Sequence, residues 1–296
     1  MPGLYSTILD RARPAWMRPQ PVTQFDIPSH YDLMVELDSD VHEDLELSRS
    51  EVELALRLLG RVPESVFLPC FGTGRHIPPL LEAGVKRIVG VDVSNASVAK
   101  AVERLRGDAR VELIVADLTK WNPKEQFEAV LLLGNSFGDV LDWSQLRRFV
   151  SALSRSLKAD GLLVMDYIGQ GYSHLYQGSD PLVWFSSYLG KPVKDSRKVC
   201  FCPDCQVLTI HIQVRDRDSG EHILYDTYKK VVLASGQVER LFGEYLIGMT
   251  GSGMAWEINP YYSGLEANLG MLACSTWWVG KKLGPVGTIP PIPPMF

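Results

Sequence analysis

A chain of 296 residues, 46% hydrophobic and 22% charged, can bury a full core, and 35 acidic against 30 basic residues leave a net charge of −5. With no basic block or stripe it lacks the electrostatic footprint of a nucleic-acid binder. It also lacks the roughly 20 consecutive apolar residues of a membrane-spanning helix. Five cysteines, an odd and modest count, and an N-terminus of prolines and arginines without an apolar signal core point to a reducing, cytoplasmic setting.

Residues 1–45 mix Pro, Arg and aromatics without a sustained period and read as an N-terminal lid segment. Residues 46–60 place apolar side chains at helical spacing, with Gly60 as a stop. Short apolar runs then alternate with helical patterns. Strands are expected at Ser65 to Leu68, Arg87 to Val91, Val111 to Val115, Ala129 to Leu133 and Leu162 to Met165. Helices are expected through Leu80 and Leu81, from Ala96 to Leu105, and from Trp143 to Leu157. Pro78 and Pro79 fit the first of these helices only in its first turn, where a missing N–H costs little. Strand–helix alternation of this kind implies parallel β-α-β units with right-handed crossovers, an α/β doubly wound sheet over residues 46–168.

After Tyr167 the pattern changes. Residues 169–232 read as an inserted cap, in which Leu208, Ile210, Ile212 and Val214 alternate as in an antiparallel strand. Ile223 to Val232 can pair with that run across an Asp218-Ser219-Gly220 turn. Residues 233–284 return to the core with a helix near Val238 to Ile247 and a last strand from Ser275 to Gly280. Residues 285–296 are a Pro-rich tail, expected to be extended.

The chemistry-bearing residues fall at strand ends. Gly72 and Gly74 follow the first strand in Pro69-Cys70-Phe71-Gly72-Thr73-Gly74, a turn that lets backbone approach a ligand closely. Asp92 ends the second strand, where an acid takes ribose hydroxyls, and Val93 follows it. Asp117-Leu118 follows the third strand, and Gly134-Asn135 the fourth. Ligands of open α/β sheets bind along this carboxyl edge. A dinucleotide fingerprint needs a third glycine where the helix receives a pyrophosphate. This chain has none there, and Pro78-Pro79 crowds the helix start.

The stretches "FGTGRH", "VGVDVS", "VADL" and "LGNSF…GLLVMDY" resemble, in order, the motifs of class I S-adenosylmethionine (SAM)-dependent methyltransferases. The likeness covers roughly residues 50–170 and is greatest to the glycine N-methyltransferase-like branch acting on small molecules. It implies a Rossmann-like, mostly parallel seven-stranded sheet with an antiparallel last strand, and SAM as co-substrate with no metal. By that resemblance Pro69, Cys70, Gly72 and Gly74 approach the methionine moiety, and Asp92 with Val93 the ribose. Asp117 and Leu118 face the adenine, and Gly134 and Asn135 the sulfonium. His30-Tyr31-Asp32 resembles a segment that closes over SAM. Asn135, Tyr31 and Tyr172 are the expected catalytic residues.

The chain departs from the family where the first strand ordinarily ends in Asp or Glu, with a glycine site two residues later. Leu68 and Cys70 stand at those positions. Either another acid, Asp32 or Glu36 from the lid, takes over the methionine ammonium, or the amine is meant to lose its proton. A neutral amine can attack the γ-carbon of SAM itself, expelling methylthioadenosine and closing a four-membered ring as in azetidine-2-carboxylate synthases. The expected function is thus N-methylation of an amine or amino acid, with that cyclisation as the alternative and cofactor binding without chemistry as a third reading. The expected partners are a small molecule or SAM alone, with neither nucleic acid nor membrane, and a second copy of the chain as a homodimer.

Both reactions are in-line displacements that rest on positioning. His30 and His174 are candidate proton acceptors, and Tyr167, Tyr172 and Tyr176 follow the fifth strand where substrate contacts fall. Cys200, Cys202 and Cys205 form a C-P-x-C cluster. A zinc site there would need His211 or Cys70 as a fourth ligand, whereas a hairpin turn that carries thiols needs nothing further.

Overall fold

A computed structural model describes residues 27–36, 45–169, 181–243, 246–248 and 275–282. Helices α1 (Ile27–Glu36) and α2 (Leu45–Leu59) lead into the alternation β1 (Ser65–Pro69), α3 (Ile77–Glu82), β2 (Arg87–Asp92), α4 (Asn95–Leu105), β3 (Val111–Val115), β4 (Phe127–Leu132), α5 (Trp143–Arg155) and β5 (Leu157–Ile168). Strands β6 (Leu182–Tyr188), β7 (Lys191–Cys202), β8 (Val207–Asp216) and β9 (His222–Val231) follow, then α6 (Ser235–Phe242), β10 (Leu246–Gly248) and β11 (Ser275–Lys282).

The main sheet has seven strands in the order β10-β11-β5-β4-β1-β2-β3. Neighbours from β5 to β3 run parallel, whereas β11 is antiparallel to both β5 and β10. Its inner strands are apolar on both faces, as strands covered by helices on each side must be. Phe67, Val89, Val130 and Met165 pack with α5 residues Leu146, Phe149 and Leu153 on one face. Val66, Leu68, Ile88, Leu131 and Val164 pack with Leu54, Ala55, Ile77 and Leu80 on the other. Helices start where side-chain oxygens meet free backbone amides: Ser94 accepts from Ser97 N at 3.0 Å and Asp142 from Gln145 N at 2.9 Å. No helix among the described residues is long and apolar enough to cross a membrane.

Three expectations need correction. The helix expected near Val238 to Ile247 is α6, which ends at Phe242, and Ile247 belongs to β10, the edge strand of the main sheet. The helix expected to reach Leu157 ends at Arg155, and Leu157 opens β5. Residues 182–202, read as part of an inserted cap without strands assigned to them, form two strands. With β8 and β9, paired as expected, they build an antiparallel sheet ordered β6-β7-β8-β9. Its apolar face, with Val193, Val199, Leu208, Ile210 and Ile212, gathers Met34 of α1 and Ile168 of β5 into a third cluster. Cys202 ends β7 and Cys205 lies in the turn before β8. Among the described residues no group of three or more His, Cys, Asp or Glu could hold a metal.

Candidate active site

The strand-to-helix turn after β1 is built on left-handed backbone. Cys70, Gly72 and Gly74 have φ of 53°, 58° and 75°, so the glycine site that Cys70 occupies still takes a glycine-like conformation. A Cβ on Gly72 would meet nothing within 4 Å, whereas one on Gly74 would lie 3.1 Å from the Ala101 Cβ of α4. Gly72 is thus glycine for its φ and for open space, and Gly74 for its φ and for close helix packing. Gly74→Ala should cost about 1–3 kcal/mol in denaturant unfolding, from the φ and the crowding together.

Asp92 holds this turn. Its carboxylate accepts from Gly72 N at 2.7 Å and from Ser94 N at 2.9 Å, so one side chain ties the turn after β1 to the start of α4. Burial raises its pKa against these amide hydrogen bonds. Val93 forms the half-buried bend that follows. Burial, with Asp92 and Asp139 nearby, pushes the Cys70 thiol well up and keeps it protonated. Pro69 and Leu118 are buried, Leu118 in the core cluster with Phe67. Asp117 curls onto its own turn, accepting from Thr119 N at 2.9 Å and Thr119 Oγ1 at 2.7 Å, with Lys120 Nζ at 2.9 Å.

Past β4 the chain makes a left-handed corner, φ 81° at Gly134 and 58° at Asn135, and the buried Asn135 donates its N–H to Asp166 Oδ1 at 3.0 Å. A short 3-10 turn, Ser136–Asp139, follows. Lys230 of β9 donates to Asn135 O at 3.0 Å and pairs with Asp139 Oδ1 at 2.6 Å. Tyr31 of α1 donates its hydroxyl to Asp139 Oδ2 at 2.8 Å. Burial and the Asp139 charge raise the Tyr31 pKa, so the phenol stays neutral and donating. Burial opposes the Lys230 charge, yet Asp139 outweighs it and keeps the ammonium. Asp139 therefore joins helix α1, the β4 corner and strand β9 of the second sheet at one point. Tyr31→Phe, which removes one link and keeps the ring, should cost about 1 kcal/mol of stability in thermal unfolding.

Helix α1 is anchored twice more. Asp32 Oδ1 accepts from Ser94 Oγ at 2.5 Å and Ala96 N at 3.1 Å, which places it on the first turn of α4. The His30 ring stacks on Tyr228, 4.7 Å between centroids, and its Nδ1 bonds Asp226. Of the two acids expected to replace the one missing at Leu68, Asp32 is thus committed to a helix start and Glu36 is exposed.

Behind the glycine turn lies an ion cluster that the sequence reading did not find. Glu51 of α2, fully buried, bonds Arg75 Nη1 at 2.6 Å and His76 Nε2 at 2.7 Å. Burial favours the neutral acid, but Arg75 and His76 overrule it and hold the Glu51 carboxyl down at about 2. The signal was present as Arg75-His76 directly after the glycines. Asp139 and Lys230 were missed too, because their partners come from distant parts of the chain. Tyr172, His174, Tyr176, Tyr261, Tyr262 and the tail lie outside the described residues.

The turn after β1, the acid that ends β2, the β4 corner and the antiparallel β11 form one edge, and residues 69–161 match the methyltransferase domain family. Over that stretch, under a third of its length, the chain is similar to the methyltransferase domain family. A glycine/sarcosine N-methyltransferase of Aphanothece halophytica is 34% identical over 98 residues, 32% of this chain and 37% of that protein. The chain therefore matches little more than a third of that relative's length. Among solved structures, a sugar N-methyltransferase of a Streptoalloteichus species superimposes with a TM-score of 0.63 at 18% identity, over 88% of this chain and 96% of the other. A SAM-dependent methyltransferase of Clostridium acetobutylicum gives 0.60 at 15% identity, over 79% and 90%. At such identities the structures speak for the shared methyltransferase fold, and the sequence match for the core.

Proposed function

We propose that this methyltransferase transfers the SAM methyl group to the nitrogen of a small amine, amino acid or amino sugar. The observation that carries this reading is the convergence of lid, β4 corner and cap on Asp139, next to a glycine turn held by Asp92. Three parts of the chain thus meet at the carboxyl edge of the sheet, an arrangement that suits a small acceptor rather than a macromolecule. The N-methyltransferase names of both the glycine/sarcosine relative and the sugar-modifying structure support nitrogen as the acceptor atom.

In this reading Gly72 and Gly74 admit the methionine chain, Asp92 accepts from the ribose hydroxyls, and Asn135 borders the sulfonium. Asp117, whose carboxylate is tied to Thr119 and Lys120, turns to the adenine edge only by giving up the lysine. Methyl transfer then needs an acceptor lone pair in line with the S–CH3 bond, which positioning supplies. Ring closure within SAM has Leu68 alone in its favour.

One incubation separates these readings. The purified protein is mixed with SAM, with and without a panel of amines, amino acids and amino sugars, and products are identified by mass spectrometry. Amine-dependent S-adenosylhomocysteine with a methylated acceptor is the expected result. Methylthioadenosine with a cyclic four-carbon imino acid from SAM alone would replace N-methylation by cyclisation.

A further inference from the structure

We propose that Asp166 of β5 holds the α-ammonium of SAM, doing from the far side of β4 what a carboxylate at the Leu68 position would do from β1. The proposal rests on the reading that SAM is the co-substrate.

The register of the sheet makes the case. Pro69 pairs with Val91, and Leu132 with Met165. One residue further, Asp92, Cys70, Leu133 and Asp166 form a single row across β2, β1, β4 and β5. The outer two are the acids, three strand spacings apart, or about 14 Å. A ribose joined to a methionine side chain can bridge that span when both carboxyl groups lean inward. Asp92 and Asp166 also share a face: Ile88 and Val164, at even offsets along their strands, lie in the same core cluster as Leu68. Asp166 thus lies on the face of the sheet where Leu68 sits, two strands over and two residues nearer the carboxyl edge.

Asp166 is otherwise under-used for a buried carboxyl. It is 1% exposed, and among the described residues its one hydrogen bond is from Asn135 N. No cation lies within ion-pair distance of it there, unlike Glu51, Asp139 and Asp195. Burial, together with the Glu51 charge on α2, lifts its carboxyl to about 7, against the Asn135 amide, Arg75 and Lys230. A buried acid with a spare oxygen is completed by an incoming cation. The β4 corner that it braces is the one expected beside the sulfonium. Arg75, whose Nη2 would lie 3.8 Å from a Cβ on Gly134, stands on the same corner and offers positive charge toward the carboxylate of the same amino acid.

The test compares three ligands by calorimetry on the full chain and on Asp166→Asn. The asparagine keeps an oxygen for the Asn135 amide and removes the charge. SAM and S-adenosylhomocysteine carry the ammonium; methylthioadenosine shares the nucleoside and lacks the amino-acid end. Asp166→Asn is expected to weaken SAM and S-adenosylhomocysteine roughly 10–100-fold and to leave methylthioadenosine unchanged. Equal weakening of all three ligands would mean that Asp166 only shapes the corner, and unchanged binding of all three would assign the ammonium elsewhere. Either result overturns the proposal with SAM binding intact. A wild-type chain that binds none of the three would instead remove the SAM reading itself.

Discussion

Replacing Glu51 with alanine is expected to cost the fold about 3–5 kcal/mol, measured by urea unfolding at pH 7. The carboxylate is 1% exposed, and both partners are nearly as buried, with side-chain exposures of 12% for Arg75 and 8% for His76. Removing one member of such a cluster strands the others away from water, which costs more than the pair contributed. Glu51→Gln should fall between the two, since the amide oxygen still accepts. The same carboxylate sets an acid limit. Its folded pKa, about 2, lies below the ordinary 4.5, so its stabilisation is fully present above pH 4.5 and is lost as pH falls toward 2. The amount at stake is about 3 kcal/mol. In Glu51→Gln that part of the acid transition should disappear.

The second large effect is on binding. Asp92→Ala should weaken SAM by roughly 100-fold or more, read by calorimetry, with stability reduced as well. Its carboxylate makes two amide hydrogen bonds, to the turn after β1 and to the start of α4, and the proposed ribose contacts are added to these. Alanine leaves Gly72 N and Ser94 N without that acceptor and frees the turn that must receive the methionine chain. Asp92→Asn keeps an acceptor for one amide and should lose less. Methylthioadenosine, which has the same ribose, should weaken in parallel with SAM. That sets Asp92 apart from Asp166, where the nucleoside is spared.

Asp166→Asn has a further expected signature, a stability advantage over the wild type that grows with pH. The wild-type carboxyl keeps its proton to about 7 in the fold and only to 3.8 when unfolded. The folded state therefore binds the extra proton between those values, and stability falls as pH rises through that window. Asparagine carries no charge to bury, so the variant should be the more stable of the two at pH 8 in thermal unfolding. Gained stability with weakened SAM binding is the pattern of a strained functional group.

The parts of this molecule that the sequence disclosed share a physical cause. Strands β1, β2 and β4 are covered on both faces, so each is a short unbroken apolar run, and glycine or acid marks where each run meets the sheet edge. The first two cap strands lacked that signal. Asp195 and Arg197, an ion pair on the same face of β7 as Val193 and Val199, interrupt the apolar alternation that those valines carry inward. Strand β10 was hidden differently. Val238 and Phe242 are spaced as in a helix, and they do form one, but Gly243 ends it before Ile247. In the site, Asp92 and Asn135 were legible because position on a strand end implies role. Asp139 and Lys230 were not, because an ion pair between residues 91 apart leaves no local trace. Asp166 was quoted only inside a motif, since its meaning depends on the row it shares with Asp92.

The antiparallel strand has a consequence for how the chain comes to be folded. Along Ser275–Lys281, β11 fills the flank of β5, with Trp277 buried between the layers. Until then β5 is an open edge with unpaired amides and carbonyls, an invitation to the strands of other molecules. Residues 169–274 must be synthesised in between, about 5–20 s of translation at ordinary rates. During that interval the growing chain already carries every residue of the sheet edge from Gly72 to Asp166 without a finished sheet beneath them. The domain is therefore expected to meet its cofactor only once β11 has been made, and to depend on chaperones most while residues 169–274 are being made.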